Sequence, residues 1–479
     1  MTTIFDKMFI LFLKKLNKLL NNLYTKNREY VIVKLVGGIM EKNITLEEIK
    51  SFGEAYHKEE KNQQIENIIA RNGLENSCMN KDVIMENPPV FNVELPETTI
   101  QNQKDSHKCW IYAGLNMILY DVANNLNMDV TKLSLSNNYI AFFDKLEKSN
   151  NAYENIIQLE TISLDFINQK NIVTNCVAEG GYWNWFVAIV NKYGMVPKSK
   201  MPDVKESMNF QKLEEIFTEK VKKDITQILK LKESQESLEN LREFKKQCLR
   251  ENYFLLSKVL GEPKRNFDFE YKDKQNHYVR YVDITPLEFR EKFLKLPLDD
   301  FISIGNVPMY NKEYNRKYRK AYFGNIFEGS YVEFINLPIE ELKRMTIEQL
   351  QDGVPVWLGT HIQKCRDTES GVLDCRLYDY DKMLDFHSLS KEESLNLRDI
   401  DMQHAMVFKG VNIIDNKPNR WKVEDSYGDK EKVNGYYIMN DNFFEKFVLN
   451  MIINKKYLTE EQRKIWKEEP ILFEIGEGF

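Results

Sequence analysis

Residues 101–119 read QNQKDSHKCWIYAGLNMIL. A polar, turn-like run of Gln103, Lys104, Asp105 and Ser106 leads into Cys109. Beyond it Trp110, Ala113, Leu115, Met117 and Ile118 recur at helical spacing, so a loop feeds a helix with the cysteine at its N-terminus. A helix N-terminus carries about half a positive charge and free N–H groups. A thiol placed there ionises more easily and becomes a nucleophile near neutral pH. Gln103, six residues upstream, could pair its side-chain amide with the Cys109 N–H around a developing oxyanion. The same stretch also reads as a buried cysteine packing a helix start beside a surface glutamine, because free Cys is among the most buried residue types.

The composition narrows the choices. A chain of 479 residues allows about three domains, or fewer large ones, and can bury a sizeable core. A hydrophobic fraction of 42% with 29% charged residues argues for a globular chain and against disorder. A net charge of −6 gives no global case for nucleic-acid binding, although a local basic face is compatible with it. The six cysteines form no CxxC pair and no compact framework, which reads as reduced thiols in a cytosolic protein. His361, Cys365 and Cys375 fit no common zinc spacing. No metal or organic cofactor is expected.

Along the chain, residues 1–39 form an amphipathic N-terminal extension. Phe5, Met8, Phe9, Phe12, Leu16, Leu19, Leu20 and Leu23 recur at helical spacing among Lys7, Lys14, Lys15 and Lys18. It reads as a membrane-surface or partner helix, as a helix packed on the body, or as a stretch upstream of a start at Met40. Residues 40–479 form the main domain. Within it 45–73 reads as helix, with Thr45 and Glu48 as a capping box. Pro88, Pro89 and Pro96 mark an extended connection. Residues 134–148 and 153–169 read as two helices, Gly180 and Gly181 as a turn, and 183–193 as helix again. No Gly or Pro occurs between Pro202 and Gly261, so 203–262 reads as an inserted helical hairpin breaking near Ser234. Residues 263–338 are mixed and aromatic-rich, and periodicity places no strand there. Residues 339–351 read as helix. The runs 354–359, 404–412, 420–425 and 435–439 read as strands, 442–450 as a short helix, and the tail from Ile471 as a final strand. Helices early and strands late give an α+β chain.

A cysteine nucleophile needs a base, and the base an orienter. His57, His277 and His387 lie in charged or loop contexts, and His107 shares the loop of Cys109. His404 instead opens the apolar strand HAMVFKGV, and Asp425 closes the strand WKVED before the turn Ser426-Tyr427-Gly428. If those strands pair, Asp425 accepts the Nδ1–H of His404 and Nε2 faces the sulfur, since neighbouring strands lie about 5 Å apart. His404 also reads as a core histidine, and Asp425 as a turn residue capping its own backbone.

Taken together these words resemble a papain-type cysteine peptidase, and in detail the bleomycin hydrolase or aminopeptidase C family. NQKDSHKCW is similar to that family's NQKSSGRCW. LSLSNNYIAFFDKLEK, EGGYWNWFVAIVNKYGMVPKS, GVLDCRLYDYD, MQHAMVFKGV and WKVEDSYG have counterparts in the same order, over roughly residues 40–470. The resemblance implies a two-lobed α+β fold, a helical lobe beside a β-barrel-like lobe, with a large helical insertion. It implies a cytoplasmic thiol aminopeptidase acting on peptides, with Cys109 as nucleophile, His404 as acid and base, Gln103 as oxyanion donor and Asp425 in the place of an asparagine. Gly180 and Gly181 match glycines that let a substrate backbone approach. It further implies a homohexameric ring, with nucleic-acid binding in some members.

Three departures stand out: Asp425 with Tyr427 for Asn and Trp, His107 for Gly, and a chain end at IGEGF that is shorter than the family's tail. The last opens endopeptidase activity beside aminopeptidase activity. The alternative from another class is a catalytically impaired member serving as an oligomeric scaffold or nucleic-acid binder.

Overall fold

The computed structural model describes residues 43–473, apart from 161–162, 170–172, 174–175, 321–323, 328, 330 and 429–433. The N-terminal extension, its boundary at 39/40 and the last six residues lie outside the described residues. The described residues divide into two compact units, one ending at Ser77 and one beginning at Cys78. In the first, helices Leu46–His57 and Glu60–Asn72 replace the single helix expected over 45–73. Thr45 and Glu48 do form the reciprocal capping box. No Gly or Pro marks the break. It is favoured by contacts between the two helices: Asn62 Nδ2 donates to Tyr56 O (2.9 Å) and Tyr56 Oη to Glu66 (3.0 Å).

The second unit carries the chemistry. Its strands are β1 (Val93–Glu94), β2 (Phe267–Lys272), β3 (Tyr278–Ile284), β4 (Phe301–Gly305), β5 (Arg316–Lys320), β6 (Glu333–Asn336) and β7 (Val356–Thr360). They continue as β8 (Arg366–Asp367), β9 (Val372–Leu373), β10 (His404–Ile414), β11 (Lys417–Glu424), β12 (Tyr436–Asn440), β13 (Val448–Asn454) and β14 (Ile471–Phe473). Twelve of them make one mixed sheet in the order β14-β5-β6-β4-β13-β7-β10-β11-β12-β9-β8, with β1 added to β10. Strands β2 and β3 form a separate hairpin. Strand β10 lies centrally, antiparallel to β7 (His404↔Thr360) and to β11 (Val407↔Glu424).

Strands β4 and β13 escape a reading by alternation because nearly every residue in them is buried on both faces. The run 442–450, expected as one helix, is helix Asp441–Phe447 followed directly by β13. The two helices expected over 134–169 are one of 22 residues, Asn137–Gln158, and a short one, Leu164–Gln169. Polar residues at the middle of the long helix look like a break, yet Asp144, Lys145, Lys148 and Ser149 are all buried. They pair instead of facing water: Lys145 with Glu179 (2.5 Å) and Lys148 with Asp144 (2.7 Å). Helices Gln211–Glu233 and Leu238–Leu260 pack on it, joined by a turn at Ser234.

Among the described residues, beside a small cluster of Val83, Val372, Leu377 and Ile438, two large apolar cores result, one mainly among the helices around Trp110, Phe142 and Phe186, the other on the sheet around Trp421, Phe444 and Met451. The helix Cys109–Asn125 lies between them and packs on β10. Glu424, fully buried at the end of β11, ties these elements. It accepts from Asn116 of that helix (2.7 Å) and from Thr98 (2.9 Å), and pairs with Lys409 of β10 (3.2 Å). One buried carboxylate thus sets the helix against the strand that opens at His404 and the strand that leads into Asp425.

Candidate active site

Cys109 is the first residue of its helix, and Lys108 before it makes no side-chain cap, so no capping side chain takes the Cys109 and Trp110 N–H groups; Ile111 N–H donates to Lys108 O (2.9 Å). The sulfur accepts from the backbone N–H groups of Trp110 and Ala405 and is hydrogen-bonded to His404. His404 Nε2 lies 2.7 Å from Asp425 Oδ1. The sequence reading put Nδ1 on the carboxylate. The structure reverses the ring, leaving Nδ1 for the sulfur. Strand spacing decides which residues meet, but not how an imidazole turns about its side-chain bonds. Asp425 Oδ1 also accepts from the Ser426 N–H (2.7 Å), and both His404 and Asp425 are buried.

The charges reinforce one another. Burial works against ionising the Cys109 thiol, but the facing imidazole and the donated N–H groups outweigh it, and its pKa falls below the ordinary value. Burial likewise works against protonating His404. The Asp425 carboxylate and the Cys109 sulfur outweigh that, and its pKa rises to about 10. The arrangement favours a thiolate–imidazolium pair that titrates as a unit.

Gln103 is brought to the same place. Its N–H donates to Ser426 O (2.6 Å), and its side-chain Oε1 accepts from Ser426 Oγ (2.8 Å). With the oxygen held, the amide donates one N–H to the Tyr427 hydroxyl, and its second N–H remains for another acceptor. Tyr427 stacks on the His404 ring at 5.3 Å and 19°. It supplies the aromatic cover that the resemblance assigns to Trp. His107 has φ 53, the left-handed conformation a glycine takes easily, and is exposed. Among the described residues no hydrogen bond or ring contact joins it to Cys109.

Cys109, Gly180, Gly181 and His404 line one cleft of about 340 Å³ with Lys148, Trp185 and Trp357. Lys148 was missed from sequence, where it looks like one more lysine on a helix. Its ammonium donates to the carbonyls of Ala178 (2.9 Å) and Gly180 (3.0 Å), holding the glycine segment at the cleft edge. Gly180 has φ +88, and a Cβ on Gly181 would come within 2.6 Å of the Trp110 indole. Gly181→Ala should therefore destabilise the protein by about 1–3 kcal/mol, read by denaturant unfolding. An unchanged midpoint would mean that Trp110 has room to move.

His361 Nδ1 faces Asp401 instead (3.4 Å), and Cys365 and Cys375 touch each other. Among the described residues no group of three or more His, Cys, Asp or Glu is placed to hold a metal ion, and no helix is long and apolar enough to cross a membrane.

A family model, the Peptidase C1-like family, matches residues 43–477. The chain belongs to the Peptidase C1-like family. Within that family it is similar to Aminopeptidase C of Listeria innocua, 32% identical over 433 residues that span 90% of this chain and 97% of that protein. Aminopeptidase C of Lactobacillus delbrueckii subsp. lactis is 32% identical over 436 residues, again 90% and 97%. The crystal structure of PepW from Lactobacillus rhamnosis superposes with a TM-score of 0.85 at 32% identity, covering 90% of this chain and 98% of that one. The papain-like α+β fold and the family expected from the six sequence words are thereby borne out.

Proposed function

We propose that the protein is a cysteine aminopeptidase working through Cys109, His404, Asp425 and Gln103. The activity is that of the family's curated relatives. The observation that carries the assignment of residues is the chain of contacts from the Asp425 carboxylate, through both His404 nitrogens, to a sulfur at a helix N-terminus. Cys109 attacks the peptide carbonyl as thiolate. The side-chain amide of Gln103 and the Cys109 N–H hold the oxyanion. His404 gives its Nδ1 proton to the leaving amine, and water activated by His404 then hydrolyses the thioester. Asp425 holds the ring and its charge. The Gly180–Gly181 segment carries the acyl side of the substrate. A homohexameric ring, a cytoplasmic location and residues 203–262 as an insertion in the papain frame complete the reading, all supported by the resemblance. An impaired scaffold is not favoured, since all four groups are retained.

The deciding experiment is hydrolysis of a fluorogenic amino-acid amide beside its N-acetylated twin, with wild type and Cys109→Ala. Cleavage of the free amine alone, lost in the variant, is expected. Cleavage of both by wild type would mean an endopeptidase, and cleavage of neither by folded protein would overturn the reading.

The pH profile follows from the pair. Activity rises as the Cys109 thiol ionises, on the acid side of its ordinary value, and falls as His404 loses its proton near 10. Asp425→Asn removes the charge that favours imidazolium, so His404 deprotonates earlier. The alkaline limb of kcat/KM should move down by about 1–3 units. The same alkaline limb in both proteins would remove Asp425 from this role.

A further inference from the structure

His404 and Gln403 stand between two grooves. Gly180 and Gly181 line only the first, and Tyr427 lines only the second, together with Gln363, Arg366 and Thr368. In the proposed mechanism the acyl part of the substrate lies along the glycines, and His404 protonates the leaving amine. The leaving portion therefore runs past His404 into the second groove.

Arg366 adds a guanidinium to that groove beside the His404 ring, and its backbone is held firmly. Strand β8 pairs with β9 (Arg366↔Leu373), Asp374 N–H donates to Cys365 O (3.1 Å), and Tyr378 Oη donates to Arg366 O (3.0 Å). The neighbouring charges are already matched. Lys364 pairs with Asp399, Arg376 with Asp374 (2.8 Å), and the Asp367 carboxylate accepts from Ser370 N–H (2.9 Å). Among the described residues the Arg366 guanidinium makes no ion pair and no hydrogen bond. It is half-buried, and close enough to Tyr427, the ring stacked on His404, to act on its hydroxyl electrostatically. A guanidinium without a partner in a groove is a receptor for a carboxylate, which it grips with two parallel N–H donors.

We propose that Arg366 binds a carboxylate carried by the leaving side of the substrate, so that short peptides with a free C-terminus are cut in preference to their neutral counterparts. This rests on the catalytic reading above, because that reading assigns the second groove to the leaving group. An α-carboxylate or an acidic side chain just after the cleaved bond would offer the same chemistry.

The test compares Leu-Ala, Leu-Ala amide and Leu-Glu amide, with a fluorogenic leucine amide reporting the catalytic centre by itself. Wild type should cut Leu-Ala with kcat/KM about tenfold or more above Leu-Ala amide, mainly through KM. Arg366→Gln should bring that ratio near one, and Arg366→Lys should leave it in between. A faster Leu-Glu amide than Leu-Ala amide, equally dependent on Arg366, would trace the carboxylate to a side chain and support the site. A wild-type ratio near one, or a ratio that Arg366→Gln leaves unchanged, would overturn the proposal. The wild-type ratio needs no variant, so a variant that fails to fold does not rescue the idea. If wild type leaves the fluorogenic amide intact, the catalytic reading fails separately. Calorimetric binding of the acid against the amide to the same protein then decides the Arg366 site: tighter acid supports it, and equal affinity overturns it.

Discussion

Cys109→Ala should lower hydrolysis of an amino-acid amide by about 10⁴-fold or more, without unfolding the protein. The sulfur is the point where the two halves of the site meet. It takes N–H groups from Trp110 on its own helix and from Ala405 on β10, and it faces the imidazole. No neighbouring group can replace it, because His404 is committed to Asp425 and Gln103 to Ser426. Alanine is the best helix former, so the first turn should persist. The check is single-turnover kinetics with a thermal melt on the same preparation. Residual activity of a few per cent in folded protein would point to another nucleophile.

Gln103→Ala should cost about 10²–10³-fold in kcat with little change in KM. In the proposed oxyanion role its donors would act on charge that exists only once the tetrahedral centre forms, so substrate binding should be nearly blind to them. Ser426→Ala gives a graded companion. It removes the 2.8 Å hydrogen bond that orients the Gln103 carboxamide but leaves the amide in place. Its loss should be smaller, about tenfold or less. The order Gln103→Ala over Ser426→Ala, with both losses in kcat, distinguishes an oxyanion donor from a residue that merely braces the loop. A loss confined to KM would remove Gln103 from that role.

The alkaline limb offers a view of how this member departs from the asparagine pattern it resembles. A carboxylate at Asp425 stabilises the protonated ring more strongly than a neutral amide does, and His404 accordingly sits at about 10. The pair therefore stays charged over a wide window, from the lowered Cys109 value up to that limit. The aromatic cover is kept with a different ring, as Tyr427 stacks on His404 at 5.3 Å.

Much of this was legible along the chain. The loop-to-helix change at Cys109, the strand opening at His404 and the strand ending at Asp425 are local patterns, set by residue type and spacing. Gln103 could be named because it lies on the same loop as the nucleophile. The sequence by itself therefore determined the fold class, the family and the residues that meet. Only the tertiary structure decided how they meet. The turn of the His404 ring, the Ser426 hydrogen bond to Gln103, the Lys148 grip on the Gly180 segment and the Glu424 knot behind the site all join residues on different segments of the chain, up to 326 positions apart. Such contacts leave no periodic trace, because buried polar side chains are tolerated only through partners that folding brings from elsewhere. The same physics hid β4 and β13: a strand buried on both faces has no alternation to read, and its neighbours in the sheet exist only once the chain has closed around it.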